Sequence, residues 1–159
     1  AQVNDSHNLD VSFKNILSIN HSFMRTNNEF GISSNMPSIH SFSPVLSSAN
    51  AQRPWEISIC WDRDNRLAAP FISSLNREGF CVGENQPYGF NAFSDFAIPE
   101  YGLKRGIPHI LIEVRNDQLR DDSGIENWSR RLAALFNIEL AHPENLQIKH
   151  FGGLNTSSA

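Results

Sequence analysis

The chain has 159 residues, 40% hydrophobic and 19% charged, with a formal net charge of −4. This length suits a single domain with a buried core, and the composition is that of a globular protein and not of a disordered one. The basic residues are scattered, which argues against nucleic acid or an anionic membrane surface as a partner. The sequence shows neither an apolar run near the roughly 20 residues of a membrane span nor a signal-peptide pattern, so we expect a cytoplasmic location.

Strand and helix patterns alternate from residue 38 onward, whereas residues 1–37 are rich in Asn and Ser and weakly patterned. The spacing of apolar residues predicts, in chain order, strand 38–42, strand 55–61, a helix ending at Gly79, strand 80–83, a helical turn over 99–104, strand 107–114 and a last helix opened by a capping box from Ser123 to Glu126. Residues 146–151 could add an edge strand. This alternation predicts an α/β fold of three layers, with a mostly parallel sheet flanked by helices.

Four residues in the middle of the chain carry more local predictions. Asp64 is the expected cap of the first helix, and Pro70 must open or kink that helix because it has no N–H to donate. Cys60 and Cys81 lie in apolar runs, so both are predicted to be buried and unpaired. Cysteine-dependent amidase chemistry needs an exposed thiol beside a His and is therefore disfavoured.

Polar side chains follow the predicted strands where each strand ends: His40 with Ser41, residues 62–64, residues 85–88, and Glu113 with Arg115. Because the carboxyl ends of parallel strands meet at one edge of a sheet, we expect these clusters to converge. An imidazole, a carboxylate and a guanidinium meeting there would suit metal-assisted hydrolysis of an anionic substrate. The structural alternative is that the His is only hydrogen-bonded and that Glu113 and Arg115 form a surface pair. A Glu within a run of Ile, Leu and Val is, however, rare unless it is paired or used.

Four blocks of sequence resemble the N-formylglutamate amidohydrolase family in their order and spacing. They are SIHSFSPV (38–45), RPWEISICWDRDNRLAAP (53–70), VGENQPYGF (82–90) and RGIPHILIEVRND (105–117). The resemblance covers residues 38–137 of a single amidohydrolase-like domain over 1–159. It implies a phosphorylase/hydrolase-like α/β fold related to the zinc carboxypeptidases. The implied reaction is zinc-dependent hydrolysis of the N-formyl amide of N-formyl-L-glutamate or a related acidic N-acyl amino acid.

The resemblance also implies roles for individual residues. His40 would be a zinc ligand, and Glu113 would be the general acid/base. Asn85, Tyr88 and Arg115 would lie in or near the substrate pocket.

The family has a long N-terminal half that carries its first zinc ligands, whereas about 37 residues precede the first block here. In one alignment these residues form the helix before the first strand, and the chain is a C-terminal portion of the family fold with little or no bound zinc. In the other, residues 19–31 match the family's early histidine motif, so that His21 is a ligand and a large internal segment is deleted. We favour the first alignment because it needs the smaller shift.

Two further differences from the family pattern concern catalysis. Tyr101 stands where the family usually has a His, and Glu84 replaces the Asp of a GDN pattern. A rival interpretation is therefore an inactive relative or fragment that retains the fold and an amino-acid-binding pocket. The number of zinc ligands distinguishes the two interpretations, since zinc sites in proteins normally have three or four.

Overall fold

The computed structural model describes residues 36–46, 51–88 and 98–151. The strands in these ranges are β1 (Met36–Phe42), β2 (Val45–Leu46), β3 (Ala51–Gln52), β4 (Ile57–Cys60), β5 (Val82–Glu84) and β6 (His109–Arg115). The α-helices are α1 (Ala68–Arg77) and α2 (Asp122–Leu140). A π-helical turn occupies Ile98–Gly102, and short 3₁₀ turns occupy Leu103–Arg105, Asn116–Leu119 and Pro143–Leu146.

The main sheet has four strands in the order β1–β6–β4–β5, while β2 and β3 form a separate antiparallel pair. β1 is parallel to β6 and β4 is parallel to β5, but β4 runs antiparallel to β6. The α/β class predicted from the sequence is confirmed, and the sheet is mixed. The loop after β4 lies beside the amino end of β6, because Cys60 pairs with Leu111. The expected convergence of all four polar clusters at one edge is therefore wrong.

Both α-helices in the described ranges pack on the same face of the sheet. The central strand β6 presents Ile110, Ile112 and Val114 to this face, because alternate residues of a strand project to the same side. The core also contains side chains from the flanking strands and the two helices: Ile39, Ile57, Ile59, Phe71, Leu75, Trp128, Leu132 and Phe136. On the opposite face, Leu111 and Cys60 pack against Ile98 of the π-helical turn. Among the described residues, this turn takes the place of the predicted third layer.

The helix starts differ in detail from those predicted. Pro70 is the third residue of α1, where a backbone N–H has no partner within the helix, so the proline opens the helix without a kink. The residue before α1 is Leu67, and no side chain caps that end. Asp64 was expected to be this cap; its carboxylate is instead bound by Arg66. At α2 the cap is Asp121, which accepts a hydrogen bond from the Gly124 N–H at 2.8 Å, so the capping box predicted at Ser123 is wrong.

The C-terminal segment and one of the two cysteines differ from the sequence prediction. Residues 147–151 form no strand, so the predicted edge strand is wrong. Cys60 is buried as predicted, whereas the predicted burial of Cys81 is wrong because Cys81 is exposed; neither forms a disulfide bond among the described residues. Within the described ranges, none of the helices has both the length and the apolar character that crossing a membrane requires.

An ion pair between Asp64 and Arg66 joins three separate parts of the chain. The Arg66 Nε and Nη2 donate to the two Asp64 carboxylate oxygens at 2.8 and 2.6 Å. The same guanidinium donates to the carbonyl of Gly106, before β6, and to that of Gln147 in the C-terminal segment. The Asp64 side chain is only 1% exposed, so the pair is shielded from water. The pair therefore holds the segment before α1 against the ends of two distant elements.

We expect Asp64→Ala to lower the free energy of unfolding by about 3 to 5 kcal/mol, because it leaves a largely buried guanidinium without its counter-charge. Urea denaturation followed by circular dichroism measures this loss. The control is Glu126→Ala, which removes the exposed partner of Arg130 and should cost about 0.5 kcal/mol or less. Similar losses in the two variants would contradict a structural role for the buried pair.

Candidate active site

A row of polar and small residues crosses the sheet on the face opposite the α-helices. His40 of β1 pairs with Glu113 of β6, Glu113 pairs with Ser58 of β4, and Ser58 pairs with Gly83 of β5. Directly paired residues project to the same face, and neighbouring strands lie about 4.8 Å apart. The side chains of His40 and Glu113 therefore project from neighbouring positions on one face of the sheet, although the two residues are far apart in the sequence.

The members of this row differ in their access to solvent. His40 is exposed, and its Nε2 lies 2.9 Å from the Ser38 hydroxyl. Glu113 is 8% exposed, and Ser58 is fully buried, with its hydroxyl donating to the Gly83 carbonyl at 3.1 Å. The row thus pairs a shielded carboxylate with an accessible imidazole, and both kinds of group can take part in proton transfer.

Gly83 allows the segment after β5 to fold closely over this row. A Cβ atom at Gly83 would lie 2.9 Å from the Gln86 carbonyl oxygen and 3.2 Å from the Ser58 hydroxyl, so a larger residue would displace one of them. The Cys60 thiol donates to the Tyr88 carbonyl at 3.5 Å. The backbone of residues 86–88 therefore lies over the polar face of β4 and β5.

Asn85, at the start of this segment, stabilises the turn. It has a φ of 53°, in the left-handed region that Asn tolerates better than most residues. Its side-chain oxygen accepts from the Trp61 N–H at 3.0 Å, and its own N–H donates to the Ile59 carbonyl at 3.1 Å. The substrate-binding role predicted for Asn85 stays a prediction.

Tyr88 lies at the other end of the segment, against an arginine that the sequence did not single out. The Arg53 Nη1 donates to the Tyr88 hydroxyl at 3.0 Å, and the guanidinium carbon is 4.8 Å from the centre of the Tyr88 ring. Tyr88 is 48% exposed, whereas Arg53 is 7% exposed. Tyr88 therefore covers the Arg53 guanidinium and keeps its own ring at the surface.

Arg115 holds backbone in place. Its Nη1 donates to the carbonyls of Arg53, Pro54 and Trp55, each at 3.2 Å, and its Nε donates to Asp117 at 2.8 Å. Its ion-pair partner is thus Asp117, so the proposed surface pair with Glu113 is not formed. These contacts fix the course of the segment that carries Arg53. A direct contact between Arg115 and substrate stays a prediction.

Zinc ligands are only partly represented among the described residues. Within those ranges, no three side chains of His, Cys, Asp or Glu converge on one point. His40 offers one imidazole and Glu113 lies beside it, which is fewer donors than a zinc ion needs. The described residues alone therefore do not fit zinc. His21, the other predicted ligand, lies outside them.

Comparison with known proteins identifies the family. A family model described as N-formylglutamate amidohydrolase matches residues 18–120, a span that contains all of the predicted site residues. The chain belongs to the N-formylglutamate amidohydrolase family.

The chain is also similar to a protein of known structure. The amidohydrolase family chain is similar to the crystal structure of gene product Atu2144 from Agrobacterium tumefaciens, with 26% sequence identity and a TM-score of 0.64. The similarity covers 76% of this chain but 47% of that protein, so the chain spans less than half the length of this relative. The search of curated proteins finds no match.

Ser58 and Arg53 are the residues of this site that sequence reasoning missed. The alternation of Glu56, Ser58 and Cys60 with two isoleucines does indicate a polar face on β4. It does not indicate that this face lies beside Glu113, because that depends on the antiparallel pairing of β4 with β6. For Arg53 the sequence has no comparable signal, since burial of an arginine is decided by its surroundings.

We expect Arg115→Lys to lower the free energy of unfolding by about 1 to 3 kcal/mol, because an ammonium group cannot reach three carbonyls and Asp117 at once. Thermal and urea unfolding measure the loss. Arg77→Lys, on the exposed surface of α1, is the matched control and should change stability by about 0.5 kcal/mol or less. Unchanged stability together with a raised KM for an acidic substrate would contradict the structural role and favour direct binding of substrate.

Proposed function

We propose that this chain hydrolyses the N-formyl amide of N-formyl-L-glutamate or a related acidic N-acyl amino acid, with Glu113 as general acid/base. Membership of the family supports a hydrolase acting on linear amides. The observation on which the proposal chiefly rests is the pairing of His40 with Glu113 on the polar face of the sheet. The Glu113 carboxylate is mostly buried on the face of the sheet opposite the main core, at a position paired with an accessible histidine.

In the proposed reaction, water attacks the formyl carbon and Glu113 accepts a proton from the water. Glu113 then returns that proton to the nitrogen as the C–N bond breaks, so that formate and the free amino acid are released. Ser58 is fully buried on the other side of Glu113. Its hydroxyl donates to the Gly83 carbonyl at 3.1 Å.

Zinc bound by His40 and His21 is also part of the proposal. When bound, zinc would polarise the formyl carbonyl and make a water molecule more acidic. Asn85, Tyr88 and Arg115 are proposed to contact or position the substrate. Tyr88 is the best placed of the three, because its ring is half exposed and covers a buried cation.

We expect Glu113→Gln to fold normally and to lose hydrolysis of N-formyl-L-glutamate by a factor of about 100 to 10,000, since an amide cannot accept the proton from water. Release of formate measures the activity, and the near-ultraviolet circular dichroism spectrum checks the fold. Glu126→Gln, an exposed change on α2, is the control and should retain full activity. Equal turnover in the wild type and Glu113→Gln would exclude Glu113 as the acid/base.

The metal content of the purified chain tests the zinc proposal and the choice of alignment. If the chain corresponds to a C-terminal portion of the family fold, we expect less than one zinc per chain after gel filtration and little hydrolysis. If His21 completes the site, one zinc per chain should be retained and should be lost in both His21→Ala and His40→Ala. Atomic absorption measures the metal. Loss of zinc in neither variant would exclude both histidines as ligands, and binding of substrate without hydrolysis would support the inactive relative.

A further inference from the structure

Arg53 is a buried cation whose contacts within the described ranges are with neutral groups. It is 7% exposed, and its Nη1 donates to the Ser43 carbonyl at 3.2 Å and to the Tyr88 hydroxyl at 3.0 Å. Its guanidinium also lies 6.0 Å from the centre of the Phe42 ring. In the part of the chain that the structure describes, no carboxylate forms an ion pair with it.

Most of the hydrogen-bonding capacity of this guanidinium is unused. A guanidinium has five N–H donors, and Arg53 places only those of Nη1 on acceptors among the described residues. The remaining edge, formed by Nε and Nη2, is the edge that binds a carboxylate through two parallel hydrogen bonds. A shielded cation without a counter-charge is costly to keep, which is an arrangement expected of a site that receives its anion from a ligand.

The position of Arg53 is fixed from both sides before any ligand binds. Its backbone N–H donates to the Pro44 carbonyl at 2.9 Å, and its own carbonyl accepts from Arg115 at 3.2 Å. Tyr88 covers the guanidinium from above. A guanidinium held in this way loses little conformational entropy when it binds an anion.

Arg53 also lies at a suitable place relative to the proposed reaction. Phe42, against which it packs, is two residues beyond His40 on the same face of β1, a step of about 7 Å along the strand. The position on β1 against which Arg53 packs is thus two residues along the strand from the row that contains His40 and Glu113. The ligand of such a site would be a substrate that places its amide at that row and a carboxylate at Arg53.

We propose that Arg53 binds a carboxylate of the acyl amino acid and that the Tyr88 hydroxyl orients its guanidinium. This inference rests on the proposed function, because it assigns a place to the substrate of the same site. Arg115, whose Nη1 and Nε are already bound to backbone carbonyls and to Asp117, would act indirectly by positioning Arg53.

Calorimetric titration of the full chain with N-formyl-L-glutamate tests the proposal. Every variant, and the parent protein, carries the Glu113→Gln substitution so that the ligand is not hydrolysed during the titration. Arg53→Gln and Arg53→Lys should weaken binding about 10- to 100-fold, the lysine because it cannot form two parallel hydrogen bonds. N-formyl-L-glutamine and N-formyl-L-isoglutamine each lack one carboxylate, and one of them should bind equally weakly to both Arg53 variants and to the parent. Arg130→Gln, on the exposed face of α2, should bind like the parent.

Unchanged affinity in Arg53→Gln and Arg53→Lys, or no binding by the parent, would overturn the proposal. Tyr88→Phe removes only a hydroxyl from a half-exposed ring, so it should fold even if Arg53→Gln does not, and we expect about 3- to 10-fold weaker binding. If both Arg53 variants are unfolded by circular dichroism, unchanged affinity in Tyr88→Phe overturns the proposal. Formate release by the chain without Glu113→Gln separates the two hypotheses: binding that depends on Arg53, without hydrolysis, retains the carboxylate site and rejects the amidohydrolase function.

Discussion

The alternation of side chains along β6 is the constraint on which the rest of the structure depends. This strand lies between β1 and β4, and every second residue, from Ile110 to Val114, packs into the core beneath the helices. The alternate residues Leu111, Glu113 and Arg115 are thereby placed on the opposite face. A shift of one residue would bury both charges in the apolar core and expose the isoleucines, so the pairing is strongly determined. The core and the candidate site are thus two sides of one strand.

The mixed direction of the sheet decides which polar residues can act together. Because β4 runs against β6, Ser58 lies beside Glu113, while Asp64 lies at the opposite end of the sheet. There Asp64 serves as the partner of Arg66 and joins distant segments. In the sequence, Glu113 and Asp64 both appear as carboxylates near the end of a predicted strand. Strand direction gives one of them a place on the candidate active site and the other a place in the framework.

Two arginines show a similar division between framework and site. Arg115 has a carboxylate partner in Asp117 and binds three consecutive backbone carbonyls, which is how an arginine stabilises a loop. Arg53 is more deeply buried, yet its contacts are a carbonyl, a hydroxyl and two aromatic rings. Arg115 fixes the backbone of Arg53 through a hydrogen bond to its carbonyl. The two residues are of the same type, so it is the groups around each side chain that distinguish a structural arginine from one suited to binding a ligand.

Local structure was predicted least well where a side chain had a choice of partners. Asp64 satisfies the pattern of a helix cap, but the nearby guanidinium of Arg66 offers its carboxylate a stronger, charge-assisted contact. At α2, Asp121 caps the helix because its carboxylate can reach the Gly124 N–H. Cys81 follows an aromatic residue in the sequence but is exposed in the structure. At both helix starts an Asp side chain is bound by a group that the pattern did not identify, and at Cys81 the predicted burial is wrong.

The sequence by itself determined the α/β class, the approximate positions of the strands and helices, and the family, because these depend on hydrophobic periodicity and on motifs that are contiguous in the chain. It also placed His40 and Glu113 within strands, near the carboxyl end of each. Only the tertiary structure decided that these two residues are neighbours, that β4 runs antiparallel to β6, and that Arg53 is buried with no carboxylate partner among the described residues. The reason is physical: strand direction and burial arise from contacts between residues far apart in sequence, which local patterns do not encode.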